Sequence, residues 1–149
     1  PYAFAYFITD GQGADHAMHL YRNNFRSTEA MPKPEAVVCV WALAADTEDE
    51  AWRLFESRAR WKMDRNLGRI GALLPPEEAV RDYSVGEQRA LADLKDNALV
   101  GTAKQVVSKL RALAERLQIE EIVVITWTHD PVAQARSYEL LAQEIFFKT

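Results

Sequence analysis

The residues of this sequence with chemical potential are few and mostly aromatic. Tyr6 and Phe7, then Trp41, then Trp127 with His129, each stand toward the C-terminal end of an apolar run that reads as a strand. Ligands of open parallel sheets and of closed parallel barrels bind at that edge, and flat aromatic walls suit a flat aromatic ligand. Core packing competes for the same residues, most strongly for Trp41. His16 and His19 have a helical spacing that could share a metal, but two histidines do not complete a metal site, and none is expected. Cys39 has no partner base in sequence and reads as core filler rather than a nucleophile. Gly11-Gln12-Gly13 follows a strand but lacks the third glycine of a dinucleotide fingerprint, so it reads as a turn. Arg58 to Arg65 is a basic patch flanked by acids, the pattern of a solvated helix face. No catalytic acid, base or nucleophile stands out.

Those aromatic positions need a scaffold, and the composition bounds it. The chain has 149 residues, 48% apolar and 27% charged, one domain's worth of an ordinary globular protein. This excludes disorder, a collagen-like repeat and a disulfide scaffold. No apolar run is long enough to cross a bilayer, and Pro1 to Ile8 lacks the basic start and cleavage pattern of a signal peptide. One cysteine cannot form an internal disulfide, so a reducing compartment, the cytoplasm, is expected. A net charge of −4 argues against nucleic acid as a partner, whose footprint is basic and clustered.

Three apolar runs supply the strands: Tyr2–Ile8, Val37–Leu43 and Ile122–Thr128. The middle run is apolar without alternation, as in parallel strands buried on both faces. Helices separate them. Ala14 to Asn23 carries Met18 and Tyr21 on one side. Thr47 with Glu50, Ser84 with Glu87 and Thr102 with Gln105 have the spacing of capping boxes. The first of these helices runs to about Asn66, burying Ala51, Phe55 and Ala59, and stops near Gly68. Residues 69–100 form a helical insert opened by Pro75-Pro76. Val106, Leu110, Leu113 and Leu117 make an apolar stripe on the next helix. Asp130-Pro131 starts a last one, with Tyr138, Leu141 and Ile145 turned inward. Strands alternating with covering helices imply right-handed crossovers and a parallel sheet. Three such strands leave two bare edges, a poor finished fold. The chain also opens without methionine in a strand-like run, and reads as the C-terminal portion of a longer protein.

Segments in order along the chain resemble the bacterial luciferase-like flavin-dependent monooxygenases: Pro1 to Ala5, Leu20 to Ser27, Ala44 to Ala51, Leu99 to Thr102, the strand Ile122 to Thr126, and Arg136 to Ala142. The resemblance covers essentially the whole chain. It implies the C-terminal portion of a (β/α)8 TIM barrel, with the insert on the C-terminal side near the substrate entrance. It also implies reduced FMN supplied by a separate reductase, dioxygen as co-substrate and a small organic molecule to oxidise. Tyr6 falls where a family aromatic stacks beside the flavin, and Trp127 is placed with it as cofactor-binding. Phe7, where relatives often carry histidine, and His129 are placed beside the substrate. The family's phosphate contacts lie mostly on earlier strands, so the isolated chain is expected neither to bind flavin tightly nor to turn over. Its bare edges are expected to be covered by a second copy or by the remainder of the barrel. Two alternatives stand beside this expectation: a deazaflavin-dependent reductase on the same barrel, and a non-catalytic flavin-binding protein on a shortened one.

Overall fold

The computed structural model describes residues 1–147. In chain order the elements are β1 (Tyr2–Ala5), α1 (Tyr6–Thr9), α2 (Ala14–Asn24), β2 (Ala36–Ala45), α3 (Glu48–Asn66), α4 (Pro76–Ala79), α5 (Val85–Asp96), β3 (Leu99–Thr102), α6 (Ala103–Leu117), β4 (Glu121–Ile125) and α7 (Pro131–Ala142), which ends in a π-helical turn, Gln143–Phe147. They form two compact units, Pro1–Trp41 with Ser108–Ile125, and Ala42–Val107 with Thr126 onward. Strand β2 and helix α6 contribute to both. Every strand pairing is parallel, as helical crossovers require.

In the first unit, β1 and β4 both pair with the N-terminal half of β2. The register places Ala5, Cys39 and Val123 in one row and Phe4, Val38 and Ile122 in the next. Successive residues point to opposite faces, and the two faces differ. Val38 and Val40 are fully buried, whereas Val37 and Cys39 are half-exposed and Val123 is 42% exposed. The middle run is therefore not buried on both faces here, because no described element covers the row of Ala5, Cys39 and Val123. On the covered side, Ala14 and Met18 of α2 are buried, and α2 lies against β1, with Tyr21 stacked on Tyr2 at 5.1 Å between ring centres. Helix α6 buries its apolar stripe as expected. Its end is closed by backbone bonds from Gln118 to Glu115 and from Ile119 to Ala114, with Gln118 in the left-handed region at φ 52°. Arg22 donates to the carbonyls of Leu117 and Gln118 at 2.5 and 2.7 Å, satisfying acceptors that a helix end leaves open.

In the second unit the C-terminal half of β2 pairs with β3, Ala42 with Leu99 through Ala45 with Thr102. Ala42, Leu43, Ala44 and Ala45 are all buried, which is the two-sided burial that the apolar run implies. Helix α3 packs on β3 and carries α4 and α5, burying Ala51, Phe55 and Ala59. Thr47 Oγ1 accepts from Glu50 N at 3.2 Å. Glu50 does not complete the box, because its carboxylate is held by Arg53 at 2.8 Å. The Ser84–Glu87 box is complete, and Thr102 N donates to Gln105 Oε1 at 2.8 Å. Lys95 to Glu56 at 2.8 Å and Arg53 to Glu77 tie the insert to α3.

Three boundaries and the facing of two helix residues differ from expectation. The first strand ends at Ala5 rather than Ile8: Tyr6–Thr9 coil into one helical turn that Asp10 (φ 51°) closes. The last strand ends at Ile125, because the Thr126 hydroxyl, not its backbone, continues the bonding to β2. Leu99 and Val100, expected at the end of the insert, instead open an additional strand, Leu99–Thr102, too short to show as an apolar run. Tyr138 and Ile145 are about 40% exposed rather than inward. Only the Tyr138 hydroxyl reaches in, accepting from Thr126 N at 2.7 Å.

Candidate functional site

In the second unit, α7 ties the C-terminal end of β2 to Thr126 through three consecutive residues. Arg136 grips Asp46 with Nε and one terminal nitrogen, at 3.1 and 2.7 Å, and holds that carboxyl below its ordinary range. Ser137, fully buried, accepts from Ala44 N at 2.9 Å. Tyr138 takes Thr126 N, as above, while Thr126 Oγ1 donates to Ala42 O at 2.6 Å. Backbone groups beyond the strand ladders are thereby satisfied by side chains, at a place where leaving them bare would cost about 1–3 kcal/mol each. Two sequence segments that look like plain strand-and-cap grammar, Ala44 to Ala51 and Arg136 to Ala142, thus meet here.

Trp127 follows directly, two residues beyond β4. Its ring carries the Arg58 guanidinium at 5.2 Å from the ring centre and meets the edge of Trp61 at 6.4 Å. Arg65 lies over Trp61 in turn, at 5.6 Å. The column Arg58, Trp127, Trp61, Arg65 sets an edge-to-face pair of indoles between two cations, its two outer contacts being of the cation–π kind. Arg58 is 4% exposed and Lys62, one turn on, also 4%. The basic stretch of α3 is therefore not one solvated face: Arg58 is buried, and the aromatic contact that buries it was invisible in linear spacing. His129 lies on the exposed loop before α7.

Trp61 also lines a cleft of about 120 Å³ with Arg60, Asp64, Arg69, Ile70, Gly71, Ala72 and Leu74. Its wall is made by the way α3 ends. Gly68 stands at φ 76°, Gly68 N donates to Arg65 O at 2.9 Å and Arg69 N to Asp64 O at 2.8 Å, a left-handed closure of the helix. The chain then turns back along the last turns of α3, and Trp61 Nε1 fixes it by donating to Gly71 O at 3.1 Å.

In the first unit, Tyr6 and Phe7 sit in the helical turn after β1, both half-buried. The Tyr6 ring lies directly against Gly11: a β-carbon at Gly11 would come within 2.1 Å of it. Its hydroxyl is 3.4 Å from the Arg116 guanidinium, which also pairs with Asp15 at 3.3 Å. Cys39 stands in the open row of the sheet, with partial burial pushing its thiol upward. His19 bonds Asn23 at 2.8 Å on the exposed side of α2.

Comparison with known proteins gives a consistent pattern. No family model matches the chain. It is 38% identical over 147 residues to the uncharacterized protein YwcH of Bacillus subtilis, covering 97% of this chain and 44% of that protein. It is 32% identical over 142 residues to a luciferase-like monooxygenase of Escherichia coli K12, covering 94% of this chain and 42% of the relative. The solved structure of apo-MsnO8 superposes with a TM-score of 0.78 at 28% identity, covering 96% of this chain and 44% of that one. The chain thus spans less than half the length of the relatives it matches. Among the described residues no helix is long and apolar enough to cross a membrane.

Proposed function

We propose that this chain is the C-terminal portion of a luciferase-like flavin-dependent monooxygenase, built as the closing strands and helices of a (β/α)8 barrel. The whole protein would oxidise a small organic molecule with dioxygen and with reduced FMN delivered by a separate reductase. One observation carries it: similarity along nearly the whole chain to a luciferase-like monooxygenase, together with an all-parallel sheet that leaves the row of Ala5, Cys39 and Val123 uncovered. A parallel sheet is stable only with both faces covered, and further strands closing a barrel would turn that row inward.

The described residues do not by themselves form a flavin cradle. The Tyr6 ring is seated on Gly11, Trp127 carries Arg58 and the edge of Trp61, and the helix starts at Thr47 and Asp130 are occupied by their own side chains. In this proposal the cofactor's phosphate and much of its ring are held by strands that the relatives carry outside the matched region. Tyr6 and Trp127 then complete the cofactor wall, and Phe7 and His129 the substrate side. What this segment contributes on its own is a locked strand edge, fixed by Arg136, Ser137 and Tyr138, on which an active site can be positioned.

The test is oxygen uptake by the longest natural polypeptide that carries this chain, supplied with reduced FMN or with reduced deazaflavin. Substrate-dependent oxygen consumption with reduced FMN is expected. Turnover with deazaflavin and no oxygen uptake would replace the proposal with a reductase. The isolated 149-residue chain, desalted after incubation with FMN, is expected to lose all visible absorbance. Retained absorbance would favour a flavin-binding protein on a shortened barrel.

A further inference from the structure

We propose that the cleft at the end of α3 is a binding site for a small organic monoanion, one with a carboxylate or similar head and a compact apolar body. The site lies wholly in the second unit and does not depend on the flavin proposal. Three features of its lining point to this ligand. The first is charge: Arg60 and Arg69 outnumber Asp64, leaving a net single positive charge. Arg60 spends its Nε on Asp64 at 2.5 Å, which fixes the guanidinium and leaves its other nitrogens as donors. Arg69 makes no side-chain hydrogen bond or ion pair with any described residue. A fixed guanidinium beside an unengaged one suits a single planar carboxylate, since such forks bind bidentately.

The second feature is the apolar wall. Trp61 has its only N–H committed to Gly71 O, so it offers the cleft hydrocarbon rather than a donor. Ile70, also in the lining, is 89% exposed. An isoleucine standing that far out beside an indole is apolar surface that a ligand body can cover, gaining stabilisation in proportion to the area removed from water.

The third feature is size. About 120 Å³ corresponds to roughly four water volumes, and falls well short of the several hundred Å³ that cofactor-sized ligands occupy. A nucleotide or flavin does not fit. A β-carbon placed on Gly71 would meet nothing within 4 Å, so that side of the lining is open to a ligand. Surface arginines alone would be an ordinary solvated face. Here they flank an indole and an exposed aliphatic side chain, in a cleft whose wall is fixed by the helix closure and by the Trp61–Gly71 bond.

The experiment follows the Trp61 indole N–H signal in nitrogen-correlated NMR spectra of the 149-residue chain, assigned by its loss in Trp61→Phe. Benzoate is titrated at constant ionic strength, with benzyl alcohol as a neutral probe of the same shape and chloride as a simple anion. A saturable shift with benzoate and none with benzyl alcohol or chloride is expected. Arg69→Gln should weaken benzoate at least about tenfold, the loss of one charge-assisted contact. Gly71→Asp, which adds a negative charge where there is space, should abolish the shift. Equal shifts from benzyl alcohol would show a merely apolar patch, and equal shifts from chloride a nonspecific charge effect. Either result, or an affinity unchanged in both variants, overturns the proposal. None of these outcomes touches the oxygen-uptake test, so the two proposals fail separately.

Discussion

One strand obeys two rules. In the N-terminal half of β2, burial alternates: Val38 and Val40 are sealed while Val37 and Cys39 are half-exposed. In the C-terminal half every residue from Ala42 to Ala45 is buried. The sequence across the two halves is uniformly apolar, so composition does not account for the difference. What differs is the number of neighbours. The second half is closed on its own, by β3, by α3 and by the side chains of α7. The first half keeps an apolar row open, which is the behaviour expected of a sheet whose remaining cover lies outside the described residues.

The largest test of that contrast is a pair of truncations. Leu43→Ala, at a fully buried position, should cost about 2–5 kcal/mol by loss of transfer energy and cavity formation. Val37→Ala, on the same open face as Cys39, should cost under about 1 kcal/mol, since its side chain is only partly withdrawn from water. Urea unfolding of both variants measures this, and equal losses would erase the distinction between the halves. Next in size is Ser137→Ala. It leaves Ala44 N–H without its 2.9 Å partner in a fully buried place, for an expected loss of about 1–3 kcal/mol. A loss below experimental error would mean that α7 does not lock the strand end.

Two helix ends sharpen the comparison further. Helices α3 and α6 close with the same bonding pattern, but the left-handed residue is Gly68 in one and Gln118 in the other. Gly68→Ala meets open space, so only backbone strain is felt, about 1 kcal/mol of destabilisation. Gln118→Gly relieves the same strain and should stabilise by up to about 1 kcal/mol. Thermal melts with opposite shifts are expected; shifts of the same sign would contradict the shared closure.

The smallest effect is electrostatic. Hydrogen bonds from Arg81 and then from the Ser84 backbone and hydroxyl hold Glu87 down to about 2, from an ordinary 4.5. A carboxyl with a depressed folded-state pKa stabilises above its unfolded value and loses that contribution as the proton returns. Melting temperature should therefore fall as pH drops from about 4.5 toward about 2, with a shallower fall in Glu87→Gln, which keeps the cap but not the charge. An unchanged slope in the variant would show that other carboxylates carry the acid sensitivity.

Much of this architecture was legible in the residues. An unbroken apolar run, an acidic capped helix start and a clean apolar stripe found β2, α3 and α6, because each is a local pattern with one low-energy solution. One miss came from a tight local turn and the others where a long-range contact decides. Tyr6 to Ile8 continues an aromatic, strand-like run, yet the chain coils there, and the Tyr6 ring rests on Gly11. Arg58 has the spacing of a surface charge and is buried against Trp127. The joint roles of Asp46 with Arg136 and of Ala44 with Ser137 span some ninety residues, which no window of sequence contains. Of the candidate site, the sequence marked Trp127 but neither its cation partner nor the cleft beside Trp61.

Cys39 offers the most direct test of the central claim, that the open row of the sheet is the inside of a barrel. Its thiol, half-exposed in this segment, is titrated with an aromatic disulfide reagent under native conditions. The titration is run on the 149-residue chain and on the longest natural polypeptide that carries it. Rapid labelling of the chain is predicted, with labelling of the longer polypeptide slowed at least about tenfold, as covered sites react only through opening. Equal rates in the two would contradict the claim, since the row would then be as open in the whole protein as it is here.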